Sequence, residues 1–325
     1  MMRIEMLKLS SVHGVGAQSA PYTSVLIVAC GYEGRARASA EHFTRGDTAK
    51  LAFGFTSQQE LEYEANKDWF LQHDFDVVEV EDAGFRLALD ERLKQLHYPE
   101  GRAHFEIDIS CFNRYRLAHI VDVLRSLPLE EVSATFRYSI ASFTAPSEDA
   151  IPTVTVQPVI PQFAGWTTRP DRPPAAVVGL GYEPNKAIGI VDLLEINNAT
   201  WAYYPLGPVN EYHDEVLRSN ESLLNIIRLD GRCLPYDLQQ PAQLFHEMNS
   251  LVDMLKRHFN PVLIPFGPKL FALVSLLVAT VHDDVGVWRV SSGALERPVN
   301  RLPSGHFISM YVDFKAEVGQ LEQDA

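Results

Sequence analysis

Four short stretches of the sequence place residues suited to anion chemistry directly after apolar runs. Gly31-Tyr32-Glu33 follows residues 24–30, and Gly181-Tyr182-Glu183 follows residues 175–180. Basic residues come soon after each: Arg35 and Arg37 in the first, Lys186 in the second. Two later turns carry Asp108, Ser110, Cys111, Asn113 and Arg114 in one case, and Gly267, Pro268 and Lys269 in the other. These are the residue types an anion-binding crevice needs. Glycine lets the backbone approach a ligand, helix N-termini offer unpaired N–H groups, and Arg or Lys neutralises phosphate. No G-x-G-x-x-G follows either first run, and no G-x-x-x-x-G-K-[ST] occurs, so neither a dinucleotide cofactor nor a P-loop site is expected.

Each of these residues also fits a plainer role. Glu33 and Glu183 suit helix capping or ion pairing with neighbouring bases. Beside a phosphate they would be unfavourable unless paired with Arg35 or Lys186. Asp108 suits a structural acceptor for an adjacent loop. Arg114, Arg116 and Lys269 fall in first helical turns, where a cation opposes the helix dipole and a nearby anion is favoured. Cys111 lies at a helix start, which lowers a thiol pKa, but no histidine partner can be assigned and a buried inert thiol is the preferred reading. The eleven histidines show no H-E-x-x-H or other ligand spacing, so no metal site is expected.

The elements needed to position these residues recur in order. Strands are predicted at 24–30, 50–55, 76–80, 103–110 and 132–140, with helices at 36–43, 59–73, 85–96 and 115–127 between them. The second series places strands at 175–180, 200–204, 232–236, 260–266 and 285–291, with helices at 187–194, 210–227, 242–258 and 270–281. Short apolar strands alternating with helices imply parallel sheets covered on both faces. The fold class is therefore α/β, with two tandem Rossmann-like parallel-sheet domains related by internal duplication. The expected division is an N-terminal extension at 1–23, a first domain at 24–141, a proline-rich connector at 142–174, a second domain at 175–314 and an acidic tail at 315–325. Residues 151–158 alternate apolar and polar types and suit an edge strand or hairpin arm. Residues 305–314 are expected in the equivalent place in the second half. In such sheets ligands bind outside the carboxyl ends of the strands, which is where the candidate residues lie.

Composition narrows the partners. The formal net charge of −14, from 28 basic and 42 acidic side chains, disfavours a duplex nucleic-acid face but not a small anion in a local basic pocket. The three cysteines, Cys30, Cys111 and Cys233, have no zinc-type pairing and suggest reduced thiols. No apolar run reaches the ~20 residues of a membrane span, so a cytoplasmic protein without a membrane partner is expected.

The turns at 107–114 and 264–269 resemble the signature of CRISPR-associated Rossmann-fold (CARF) sensor domains, which place a strand, an Asp-x-Ser/Thr or Gly-rich turn and a Lys at the start of the last long helix. The family's other ligand loop follows the first strand, where both Gly-Tyr-Glu turns lie. Neither turn has the family's full Gly-Gly-Thr-Lys run, and Pro268 stands where Thr is usual. The resemblance implies binding of a cyclic oligonucleotide across the pseudo-two-fold of paired domains, a role in antiviral defence, and an effector protein partner. The implied ligand-binding residues are Gly31, Tyr32, Glu33, Arg35, Asp108, Ser110, Asn113, Arg114, Gly181, Tyr182, Glu183, Lys186, Gly267 and Lys269. Sensing without turnover is the first expectation. Alternatives are a metal-independent ring nuclease or other phosphoester-processing enzyme in the same crevice, and a non-catalytic structural subunit of a defence complex. In the enzymatic case Lys269 and Arg114 would stabilise charge developing as a ribose hydroxyl attacks its phosphate.

Overall fold

The computed structural model describes residues 8–11, 23–43, 48–146, 153–165, 169–291 and 298–314. The acidic tail at 315–325, most of the N-terminal extension and parts of the connector lie outside the described residues. The strands are β1 (Lys8–Ser11), β2 (Thr23–Cys30), β3 (Ala49–Phe55), β4 (Asp76–Val80), β5 (Arg102–Asp108), β6 (Glu131–Ala141), β7 (Thr155–Pro158), β8 (Pro174–Gly179), β9 (Thr200–Leu206), β10 (Cys233–Asp237), β11 (Asn260–Pro265), β12 (Gly286–Ser291) and β13 (Pro303–Phe314). The helices are α1 (Ala38–Phe43), α2 (Tyr63–Gln72), α3 (Asp82–Lys94), α4 (Arg114–Ser126), α5 (Lys186–Leu193), α6 (Asn210–Ser219), α7 (Glu221–Ile227), α8 (Pro241–Leu255) and α9 (Lys269–Val281).

Two sheets result. The first runs β1-β13-β6-β5-β2-β3-β4 and the second β10-β9-β8-β11-β12-β7. Within them β6-β5-β2-β3-β4 and β12-β11-β8-β9-β10 share one strand order, and all neighbours in these two sets are parallel. In each set the chain starts at the central strand, runs to one edge, and then crosses back to the other side. That reversal puts a topological switch point between β2 and β5, and another between β8 and β11, where loops diverge and leave a crevice.

The strand sequences follow from burial on both faces. In β2, Val25, Ile27 and Ala29 enter one core while Leu26, Val28 and Cys30 enter another, so the strand reads as an unbroken apolar run. Helices α4 and α9 lie against each other at the seam between the halves. From Leu270 to Thr280 every residue of α9 is buried, which accounts for a helix that is apolar all round. One continuous core joins Phe53 and Phe105 of the first half to Tyr203 and Phe271 of the second through these helices.

Three expectations need correction. The strand expected at 305–314 does form, but β13 pairs antiparallel with β6 in the first sheet and not in the second. Its inward residues Ile308, Met310, Val312 and Phe314 are buried in the shared core at every second position, which fixes its face and register. The connector strand β7 pairs antiparallel with β12 at the edge of the second sheet. Each half thus lends its last strand to the other's sheet. The helix expected at 210–227 breaks at Asn220, whose amide turns inward to Gly181 O and Val216 O. The helix expected from residue 59 begins at Tyr63, because Gln58 and Leu61 adopt positive φ. Among the described residues no helix is long and apolar enough to cross a membrane.

Candidate functional site

The carboxyl ends of both sheets open into one cleft of about 2040 Å³ between the halves. Its walls carry Gly31, Tyr32, Glu33 and Arg35 after β2, and Asn113 and Arg114 after β5. Gly181, Tyr182, Glu183 and Lys186 after β8, with Gly267 and Lys269 after β11, face the same space. Asp108 and Ser110 do not line it. They lie beneath the floor and shape it: Asp108 Oδ1 accepts the Ser110 N–H at 2.8 Å, and Ser110 Oγ accepts the Ser139 N–H at 2.8 Å. Burial raises the Asp108 pKa, opposed by its hydrogen bonds from Ser110. Its role here is the structural one.

At the centre, the two long helices begin face to face across the seam. Asn113 caps α4 by accepting the Arg116 N–H at 2.8 Å and donates to Asp82 Oδ2 at 2.8 Å. Arg114, the first residue of α4, donates to Phe266 O and, at 3.0 Å, to Gly267 O of the second half. Lys269, the first residue of α9, donates to Phe112 O of the first half at 2.5 Å. Each half therefore satisfies a turn carbonyl of the other with a basic side chain. Burial lowers the Lys269 pKa to about 7, helped by Arg114 and Arg35 and opposed by Glu33 and Cys111. Gly267 is required by close backbone approach, since a Cβ there would strike Leu180 O.

Arg116 also borders the cleft, but its donors are committed to the protein. It is wholly buried, donating to Asp82, Gly54 O and Val80 O with its guanidinium 3.8 Å from the centre of the Phe55 ring. It fastens the ends of β3 and β4 beside α4. Cys111 has its sulfur 4.0 Å from Glu33 Oε2, and burial followed by that carboxylate pushes its pKa well above the usual thiol range. Both effects favour the neutral thiol and weaken it as a nucleophile.

The two Gly-Tyr-Glu turns are held alike in their backbones. Asn66 Nδ2 donates to Gly31 O and Glu33 O at 2.9 Å each, and Asn220 Nδ2 donates to Gly181 O at 2.7 Å. Both asparagines are buried. Their side chains differ. Glu33 is buried and pairs with Arg35 at 2.6 Å and Arg301 at 3.1 Å, whereas Glu183 is exposed. Arg35 also donates to Ser139 O and Ser110 O, tying the first turn to β6 and to the turn after β5.

Sequence reasoning missed Arg301, which arrives in the cleft on residues 298–302 between β12 and β13. Its Nη2 donates to Tyr182 Oη at 3.3 Å, and its N-terminal neighbour Asn300 accepts the Gly34 N–H at 2.8 Å. Burial works against the Arg301 charge, but Tyr182 and Glu33 outweigh it and raise its pKa. Arg289 on β12 also lines the cleft, with its guanidinium 5.3 Å from the centre of the Tyr115 ring. Neither arginine sits in a motif. Asn66 and Asn220 did leave a trace, since they follow Gly31 and Gly181 by the similar separations of 35 and 39 residues. Against known proteins, the chain matches no family model and no curated sequence.

Proposed function

We propose that the chain is a tandem CARF-like sensor that arose by internal duplication and holds a nucleotide-type anion, a cyclic oligonucleotide for instance, in the cleft between its halves. The observation that carries this reading is the meeting of both switch points in one cleft lined by Arg35, Arg114, Lys186, Lys269, Arg289 and Arg301, in a chain of net charge −14. A local basic cleft in an acidic protein attracts a small anion while the rest of the surface repels long polyanions. The duplication is supported by the shared strand order, the paired asparagines and the reciprocal Arg114 and Lys269 contacts. Output would pass through an effector protein, with a role in antiviral defence following from the family resemblance.

A thermal-shift screen against cyclic and linear oligonucleotides, mononucleotides and dinucleotide cofactors tests the reading. Selective stabilisation by one nucleotide class is expected, reduced in Arg114→Met and Lys269→Met. No shift with any of them would overturn it and favour a structural subunit. A second reading, phosphoester cleavage in the same cleft, draws on Lys269. With its pKa at about 7, it populates both protonation states near neutrality, as a group that gives and retrieves a proton must. Turnover of the bound nucleotide without added metal would select that reading over sensing.

A further inference from the structure

Among the cations of the cleft sits a carboxylate that belongs to the protein. Glu33 is 8% exposed, and a carboxylate so deeply buried is costly unless cations surround it. Two do. Arg35 Nε donates to Oε2 at 2.6 Å, and Arg301 Nη1 donates to Oε1 at 3.1 Å. Arg35 is fixed, because its remaining donors hold Ser139 O and Ser110 O. Arg301 is less so. Its side chain keeps 28% exposure, and its other nitrogen reaches Tyr182 Oη in the second half. One guanidinium therefore spans both Gly-Tyr-Glu turns, neutralising the glutamate of the first and touching the tyrosine of the second. In the second turn the matching Glu183 is exposed and folded back over Gly181.

We propose that Glu33 is an internal competitor: its carboxylate fills the anion position of the first turn, and an anionic ligand binds by drawing Arg301 away from it. This rests on the anion-binding reading of the cleft and adds a selectivity to it. Each carboxylate of a ligand, alone or on a polycarboxylate such as citrate, brings the same two oxygens and single charge as Glu33 and has no advantage over it. A phosphate, with more acceptor oxygens and up to twice the charge, does. The cleft therefore selects phosphorylated ligands over carboxylic acids of similar size, and Arg301 is the residue that makes the choice.

Isothermal titration of the full chain with inorganic tripolyphosphate, and with citrate as the carboxylate control, tests this. Glu33→Gln removes the competing charge and keeps a hydrogen-bonding amide, so tripolyphosphate should bind roughly tenfold tighter, the worth of about one charge-assisted hydrogen bond. Citrate, excluded by the wild type, should now bind. Arg301→Gln leaves Glu33 paired with Arg35 and should weaken tripolyphosphate by a similar factor; it decides the matter if Glu33→Gln does not fold. Unchanged or weaker binding in Glu33→Gln, or unchanged binding in Arg301→Gln, would overturn the competition while the cleft reading stands. Failure of the wild type and both variants to bind any tripolyphosphate would overturn the anion reading and this inference with it.

Discussion

The two Gly-Tyr-Glu turns have one backbone arrangement and two side-chain fates. Each ends the central strand of a five-strand parallel set, and each has its glycine carbonyl bound by a buried asparagine. Yet Glu33 lies inside an arginine pair and Glu183 faces solvent. The difference comes from the segments that cross the seam. Residues 298–302 deliver Arg301 and Asn300 to the first turn. Residues 142–146 approach the second half with no charged side chain; there Tyr212 Oη donates to Ser142 O at 2.9 Å, and the Phe143 and Tyr212 rings meet edge-on with centres 5.2 Å apart. Strand ends and buried amides set a turn's backbone, while whatever crosses over it decides whether its carboxylate is closed in or left open.

The largest expected effect separates the turns directly. Arg35→Met leaves the buried Glu33 carboxylate with Arg301 alone and frees two buried carbonyls, so it should cost about 3–5 kcal/mol in urea unfolding. Lys186→Met at the second turn, beside an exposed glutamate, should cost less than about 1 kcal/mol. Equal costs would break the comparison. Asn66→Ala and Asn220→Ala should each cost about 1–3 kcal/mol, since both strand a buried turn carbonyl. A large inequality between them would show that the backbones are not held alike.

A pH-dependent effect follows from Lys269. Its folded pKa of about 7 lies below the ordinary lysine value near 10.5, so between those limits the unfolded chain binds more protons. Lys269 therefore adds a rise in stability with pH from about 7 to about 9, above which the buried cysteines, held above their ordinary pKa of 9, pull the other way; Lys269→Met should remove that rise in thermal unfolding. A Lys269→Met profile parallel to that of the wild type between about pH 7 and 9 would contradict the burial assigned to this amine. The smallest effect belongs to Glu183→Gln, which should shift stability by no more than about 0.5 kcal/mol at an exposed site. A loss comparable to Arg35→Met would mean that the second turn is closed as well.

Much of this architecture could be read from residue order. Strands β2 to β6 and β8 to β12 fall within a residue or two of the expected positions, because apolar runs buried on both faces leave little ambiguity. The placement of the turns at Gly31, Gly181, Arg114 and Lys269 around one cleft was legible because strand ends in parallel sheets have a fixed geometric role. The exchange of β7 and β13 was not. Alternation gives a strand one inward face but does not name the sheet whose edge it completes. Arg301 was hidden for the same reason, lying in a crossing segment without periodicity. The division of labour between Glu33 and Glu183 was invisible in the tripeptide they share, since it depends on the residue delivered from a segment some 120 to 270 positions away.

The most direct measurement is hydrogen exchange of the full chain with and without the nucleotide that stabilises it most. If one ligand spans both halves, exchange slows together at both first-strand turns, residues 31–36 and 181–187, and at the helix starts 113–117 and 268–272. Protection confined to one half, or lying away from the cleft, would contradict a shared site.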